Sequence, residues 1–80
     1  MEQNTMNKER RKWIQEIQTK LESVKKELSD VLEEEEEYFN SMPEGFQSGQ
    51  RGEAAQTAIN SLDSAVSQIE DALDSLGEIE

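Results

Sequence analysis

The chain has no cysteine and no histidine, one proline, four glycines and only four aromatic residues among its 80. Without cysteine there is neither a disulfide framework nor a thiolate nucleophile. Without histidine, the commonest metal ligand and the commonest general base are both missing. Glutamates and one tyrosine without a pocket-forming fold give no catalytic constellation, so neither an enzyme nor a cofactor or metal is expected. No apolar run approaches the roughly 20 residues that a membrane-spanning helix needs. Met1 to Lys12 lacks the apolar stretch of a signal peptide. The expected setting is soluble and cytoplasmic, with no membrane partner.

Positive charge is also scarce. Eight Lys+Arg stand against 19 Asp+Glu, for a net charge of -11, and only 32% of the residues are hydrophobic. Such a composition can describe a disordered chain, but the spacing of the apolar residues argues for helix. Ile14, Ile17, Leu21, Val24, Leu28 and Val31 alternate steps of three and four, as do Ala55, Ile59, Leu62, Val66, Ile69, Leu73 and Leu76. Both series are heptads with those residues at a and d. Three blocks of the second series, AINSLDS from Ala58, AVSQIED from Ala65 and ALDSLGE from Ala72, repeat one pattern with a period of seven.

Between the two series, Pro43 disfavours helical geometry at Met42, and Gly45, Gly49 and Gly52 follow closely. The reading is an all-α fold, a two-helix antiparallel coiled-coil hairpin. Its expected parts are a disordered N-terminus over 1–6, a first helix over about 7–40, a turn over 41–49 and a second helix over about 50–79. Ser48 is the expected N-cap of the second helix. Residue numbers that sum to 90 pair the stripes about Gly45: Ile14 with Leu76, Ile17 with Leu73, Leu21 with Ile69, Val24 with Val66, Leu28 with Leu62 and Val31 with Ile59. Glu35 would face Ala55 where the dry seam ends, and Lys25 would reach Asp63.

A seam between two helices buries only part of each side chain, and small domains in this position commonly oligomerise. Ala58, Ala65 and Ala72 occupy successive g positions, a smooth strip beside the seam. A homodimer forming a four-helix bundle is the expectation, against the plainer reading that the stems of Lys20, Glu27 and Glu34 fold over the strip.

Charge divides along the chain: residues 1–26 hold seven Lys/Arg and four Glu, net +3, and residues 27–80 hold one Arg and fifteen Asp/Glu, net -14. The run Glu33 to Glu37 invites a cation site, yet consecutive helical residues point around the whole axis. Calcium requires six to eight oxygens and a bending loop. A solvated acidic patch of Glu33, Glu34, Glu36, Glu37 and Glu44, available to a partner, is the better reading. Tyr38, Phe39, Met42 and Phe46 gather at the turn, either as a plug that closes the hairpin or as an aromatic anchor for a partner. Lys8, Arg10, Arg11, Lys12 and Trp13 form a basic cluster, but Glu9 and Glu16 interrupt it and the rest of the chain repels a polyanion. Direct nucleic-acid binding is not expected.

The acidic surface suggests instead that the protein imitates a polyanion. Duplex DNA carries one negative charge per about 1.7 Å, or about 30 over a 50 Å helix. A dimer of this chain would carry twice -11.

The segment Glu33 to Gly52, EEEEEYFNSMPEGFQSGQRG, followed by the Ala/Ile/Leu heptads, resembles small acidic helical-hairpin proteins of bacteriophages and prophages. The resemblance covers roughly the C-terminal 50 of the 80 residues. It rests on the Glu-rich stretch, Tyr38, the block Asn40 to Glu44 and the segment Ser48 to Glu53. It implies a phage accessory protein in the bacterial host cytoplasm, where inhibitors of host defence nucleases are frequent, and it transfers no catalytic residue. The functional expectation is a non-catalytic protein-protein interaction module. It would inhibit a host defence or nucleic-acid-handling protein, such as a basic nucleic-acid-binding protein, through the acidic surface. The alternative is a structural, scaffolding coiled coil whose main role is self-association.

Overall fold

The computed structural model describes residues 7–79; the N-terminal segment 1–6, expected to be disordered, lies outside them. Three helices occur in the order α1 (Lys8–Ser41), α2 (Glu44–Gln47) and α3 (Gln50–Gly77), with no strand among the described residues. The two long helices pack against each other, and the all-α expectation is met. The radius of gyration is 18.6 Å, where a compact chain of this length would have about 12 Å. The extents of 66 × 17 × 12 Å are those of a rod two helices wide and one helix thick.

Each boundary has a local cause. Asn7 caps α1, its side-chain oxygen accepting from the Arg10 backbone N–H at 2.9 Å, and Glu9 lies in the first turn, where the helix dipole favours an acid. At the other end Pro43 forces Met42 into extended geometry (φ -71°, ψ 141°). The Met42 amide then donates back to the Phe39 carbonyl at 3.1 Å, and the Ser41 hydroxyl to the Glu37 carbonyl at 2.7 Å. The Pro43 carbonyl accepts from both Phe46 and Gln47 amides, winding α2. The Gln47 side chain donates to the Phe39 carbonyl at 3.0 Å, tying α2 to the end of α1.

The N-cap of α3 is Gly49 and not Ser48. Gly49 carries extended geometry, while Ser48 closes α2, its hydroxyl donating to the carbonyls of Glu44 and Gly45. The tightest point of the turn is Gly52, which is buried. A Cβ there would collide with the Gln47 backbone carbonyl, so only glycine admits this approach. At Gly45, the expected pivot, a side chain would meet nothing within 4 Å, and the backbone φ is not positive; neither sterics nor backbone geometry requires glycine there.

Helix α1 is rotated relative to the expected seam. Its half-buried positions along the seam are Ile14, Gln18, Leu21, Lys25, Leu28, Leu32, Glu35, Phe39 and Met42, while Ile17, Val24 and Val31 are exposed. On α3 the series from Ala55 to Leu76 faces inward, with Gly52 and Ala55 buried. The two sets match when residue numbers sum to 94 and not to 90: Gln18 with Leu76, Leu21 with Leu73, Lys25 with Ile69, Leu28 with Val66, Leu32 with Leu62, Glu35 with Ile59, Phe39 with Ala55 and Met42 with Gly52. Glu35 is therefore one layer inside the seam, and Phe39 takes the place expected for it opposite Ala55. The ion pair between Lys25 Nζ and Glu70 Oε2 at 3.0 Å fits this register and replaces the expected Lys25–Asp63 pair.

The cause of the rotation lies in two adjacent apolar pairs, Val31–Leu32 and Tyr38–Phe39. A helix turns one member of each pair inward, and here the inward members are Leu32 and Phe39. Carried back toward the N-terminus, that choice puts Gln18 and Lys25 in the seam and leaves Ile17 and Val24 outside. Lys25 tolerates the position because its stem lies along apolar surface while its ammonium reaches Glu70.

Candidate interaction surface

Antiparallel helices are related by a two-fold axis perpendicular to both, which keeps each flank of one helix on the same side as the corresponding flank of the other. With the seam placed as above, Ile17, Val24, Val31 and Tyr38 lie on the same flank as Ala58, Ala65 and Ala72. The opposite flank carries Gln15, Glu22, Ser29 and Glu36 from α1, and Gln56, Asp63, Glu70 and Gly77 from α3. Surface grooves agree with this division. One brings Glu22 and Lys25 together with Glu70, Asp71 and Asp74; another brings Glu36, Phe39 and Asn40 together with Gln56 and Ile59.

The first flank is apolar and exposed. Ile17, Val24, Val31 and Tyr38 are 37, 45, 50 and 50% exposed and recur every seven residues, a stripe about 32 Å long. Ala58 and Ala65 are half-buried beside it and Ala72 is exposed. The heptad pattern marks the alanine strip in the sequence but places Ile17, Val24 and Val31 in the seam. The signal for an outside position is the width of the apolar face on α1. It occupies a, d and e of the heptad, the width of a bundle helix and more than one neighbour covers.

At the tip, Tyr38, Met42 and Phe46 come together with Ser41, Pro43 and Arg51 around a shallow cavity of about 300 Å³. Phe39 is separated from them, turned toward Gln56 and Ile59 on the acidic flank. Phe46 is 59% exposed, and Trp13, at the far end of α1, is 64% exposed. Glu33, Glu34, Glu36, Glu37 and Glu44 are all exposed, whereas Glu35 lies half-buried in the seam. Glu34 borders the apolar flank, Glu36 lies on the acidic one, and Glu33 and Glu37 face outward. Among the described residues, no three acidic side chains are grouped so as to hold a metal ion, and no helix is long and apolar enough to cross a membrane.

Comparison with family models, with curated proteins and with solved structures finds no match. The surface itself therefore carries the functional reading.

Proposed function

We propose that this chain is a non-catalytic protein-protein interaction module whose working face is the apolar flank of the hairpin. One observation carries the reading: four large apolar side chains, Ile17, Val24, Val31 and Tyr38, are 37 to 50% exposed at heptad spacing on the side that also bears the alanine strip. Exposed apolar surface of this extent marks a place where another helix packs, and alanines beside it let that helix approach closely. Of the two functional classes the sequence suggests, a self-associating or scaffolding helical protein fits this face better than recognition through charge alone.

The acidic exterior supports a second reading. Glu22, Glu70, Asp71 and Asp74 border a groove on the flank opposite the apolar face, so an assembled protein would still present its acids outward. In that role it would be an inhibitor that occupies the basic groove of a nucleic-acid-handling protein, in keeping with the phage resemblance.

Two variants separate the readings. Wild type, a flank variant (Val24→Glu with Val31→Glu) and a tip variant with Glu33, Glu34, Glu36 and Glu37 changed to Gln are compared for partner binding at low and high salt. The expected result is that the flank variant loses its partner at every salt and the tip variant keeps it. Loss in the tip variant alone, with wild-type binding falling steeply as salt rises, would transfer the function to the acidic surface.

A further inference from the structure

We infer that the occupant of the apolar flank is a second copy of this chain, packed with the two hairpin tips at opposite ends and with Trp13 of each copy seated in the tip cavity of the other. The inference rests on the apolar flank being an interaction face and specifies what covers it.

Three observations select this arrangement. The first is the symmetry of the stripe. Its midpoint falls between Val24 and Val31, so a reversed copy places Val24 against Val31 and Ile17 against Tyr38, with residue numbers summing to 55. Level with that midpoint on α3 lies the step from Val66 to Ser67. The same axis therefore places Ala65 of the two copies about 4.5 Å apart along the helices, and Ala58 of each at the same offset from Ala72 of the other. Large residues thus meet large ones along α1, while alanines meet along α3.

The second observation concerns the ends. In that register Trp13 lies opposite Met42, which lines the cavity of about 300 Å³ with Tyr38, Pro43, Phe46 and Arg51. The most exposed aromatic at one end of the molecule and the exposed aromatics at the other thereby cover each other. With both tips at the same end, Trp13 would lie past Gly77, where the partner's α3 ends, and far from the partner's tip cavity.

Charge is the third. The rim of the face along α1 begins at Trp13 and runs through Lys20, Glu27 and Glu34, so reversal sets Lys20 of each copy near Glu34 of the other, at two equivalent places, which outnumber the single approach of Glu27 to Glu27 at the axis. It also sets each Glu33 to Glu37 run toward the basic half of the partner's α1, whereas tips at one end would bring both acidic runs together. The area suffices: from Trp13 to Met42 is about 43 Å, which over the 17 Å width of the molecule gives about 750 Å² per copy. The pair would bury about 1,500 Å², within the range of stable interfaces.

The chain has no cysteine, so a single Gly45→Cys variant carries one spin label at the open tip position. Sedimentation equilibrium gives the stoichiometry, the distance between labels gives the orientation, and emission from the sole tryptophan reports its cover. The expected results are a dimer, labels about 50 Å apart, and Trp13 emission that shifts to the blue as the dimer forms. In Val24→Glu/Val31→Glu the chain should be a helical monomer with water-exposed Trp13. A dimer with labels less than about 25 Å apart, or one whose Trp13 emission stays unshifted, would overturn the arrangement. A wild-type monomer at every concentration would overturn the second-copy assignment while leaving the apolar flank open to a different partner, which the partner-binding comparison tests separately.

Discussion

The two flanks of this hairpin are built from the same two helices in the same register, yet they have opposite chemistry. One carries Ile17, Val24, Val31 and Tyr38 beside alanines; the other carries Gln15, Glu22, Ser29 and Glu36 beside Gln56, Asp63 and Glu70. A two-stranded coiled coil that is complete by itself places charged residues on both flanks of its seam. Here only one flank is finished in that way. The difference separates a flank finished with polar and charged groups from one that leaves large apolar side chains exposed.

The contrast breaks most visibly where charge is moved onto the apolar side. Val24→Glu with Val31→Glu should weaken dimer formation at least a thousandfold, about 4 kcal/mol, because four carboxylates would be desolvated at the interface. A charge reversal on the other flank, Asp63→Lys, should leave dimerisation unchanged; sedimentation of both variants checks the pair.

At the tip, Gly52→Ala should lower stability by about 2 to 3 kcal/mol, since the added Cβ meets the Gln47 backbone carbonyl and not a movable side chain. Thermal melting of this variant beside Gly45→Ala distinguishes the packed glycine from the open one, and Gly45→Ala should show no comparable loss. In the seam, Leu28→Ala should cost about 2 kcal/mol, the lower end of the range for leucine truncation because Leu28 is only half-buried. Val31→Ala, measured at a protein concentration low enough to keep the chain monomeric, should cost distinctly less.

Removing the cross-helix ion pair should have the smallest effect. Lys25→Ala is expected to change stability by no more than about 1 kcal/mol, because both partners are substantially exposed. Urea unfolding of Lys25→Ala, Glu70→Ala and the double variant would isolate the pair's coupling.

Much of the fold is legible in the residues. The heptad steps mark two long helices, and Pro43 marks the break between them. The rotation of α1 is not legible from those steps alone, because Val31–Leu32 and Tyr38–Phe39 offer two continuous seams. The steps of three and four run as smoothly through Ile17, Val24 and Val31 as through Leu32 and Phe39. Register escapes the pattern for a different reason. It depends on the close approach of Gly52 to Gln47, a contact between backbones to which no side-chain spacing points, and Gly45 lies at the midpoint of the alternative pairing by coincidence. Of the surface residues, the alanine strip and the exposed tip acids are legible, but Phe39 belongs to the seam and not to the tip cavity.

An isotope-filtered NOESY experiment on mixed labelled and unlabelled protein decides between the two seams and reads the dimer at once. A hairpin in the register described should give intramolecular contacts between the methyl groups of Leu32 and Leu62, together with intermolecular contacts from Val24 to Val31 of the other copy. Intramolecular contacts between Val31 and Ile59 would refute it, because they would place Val31 inside the seam and leave no apolar flank to occupy.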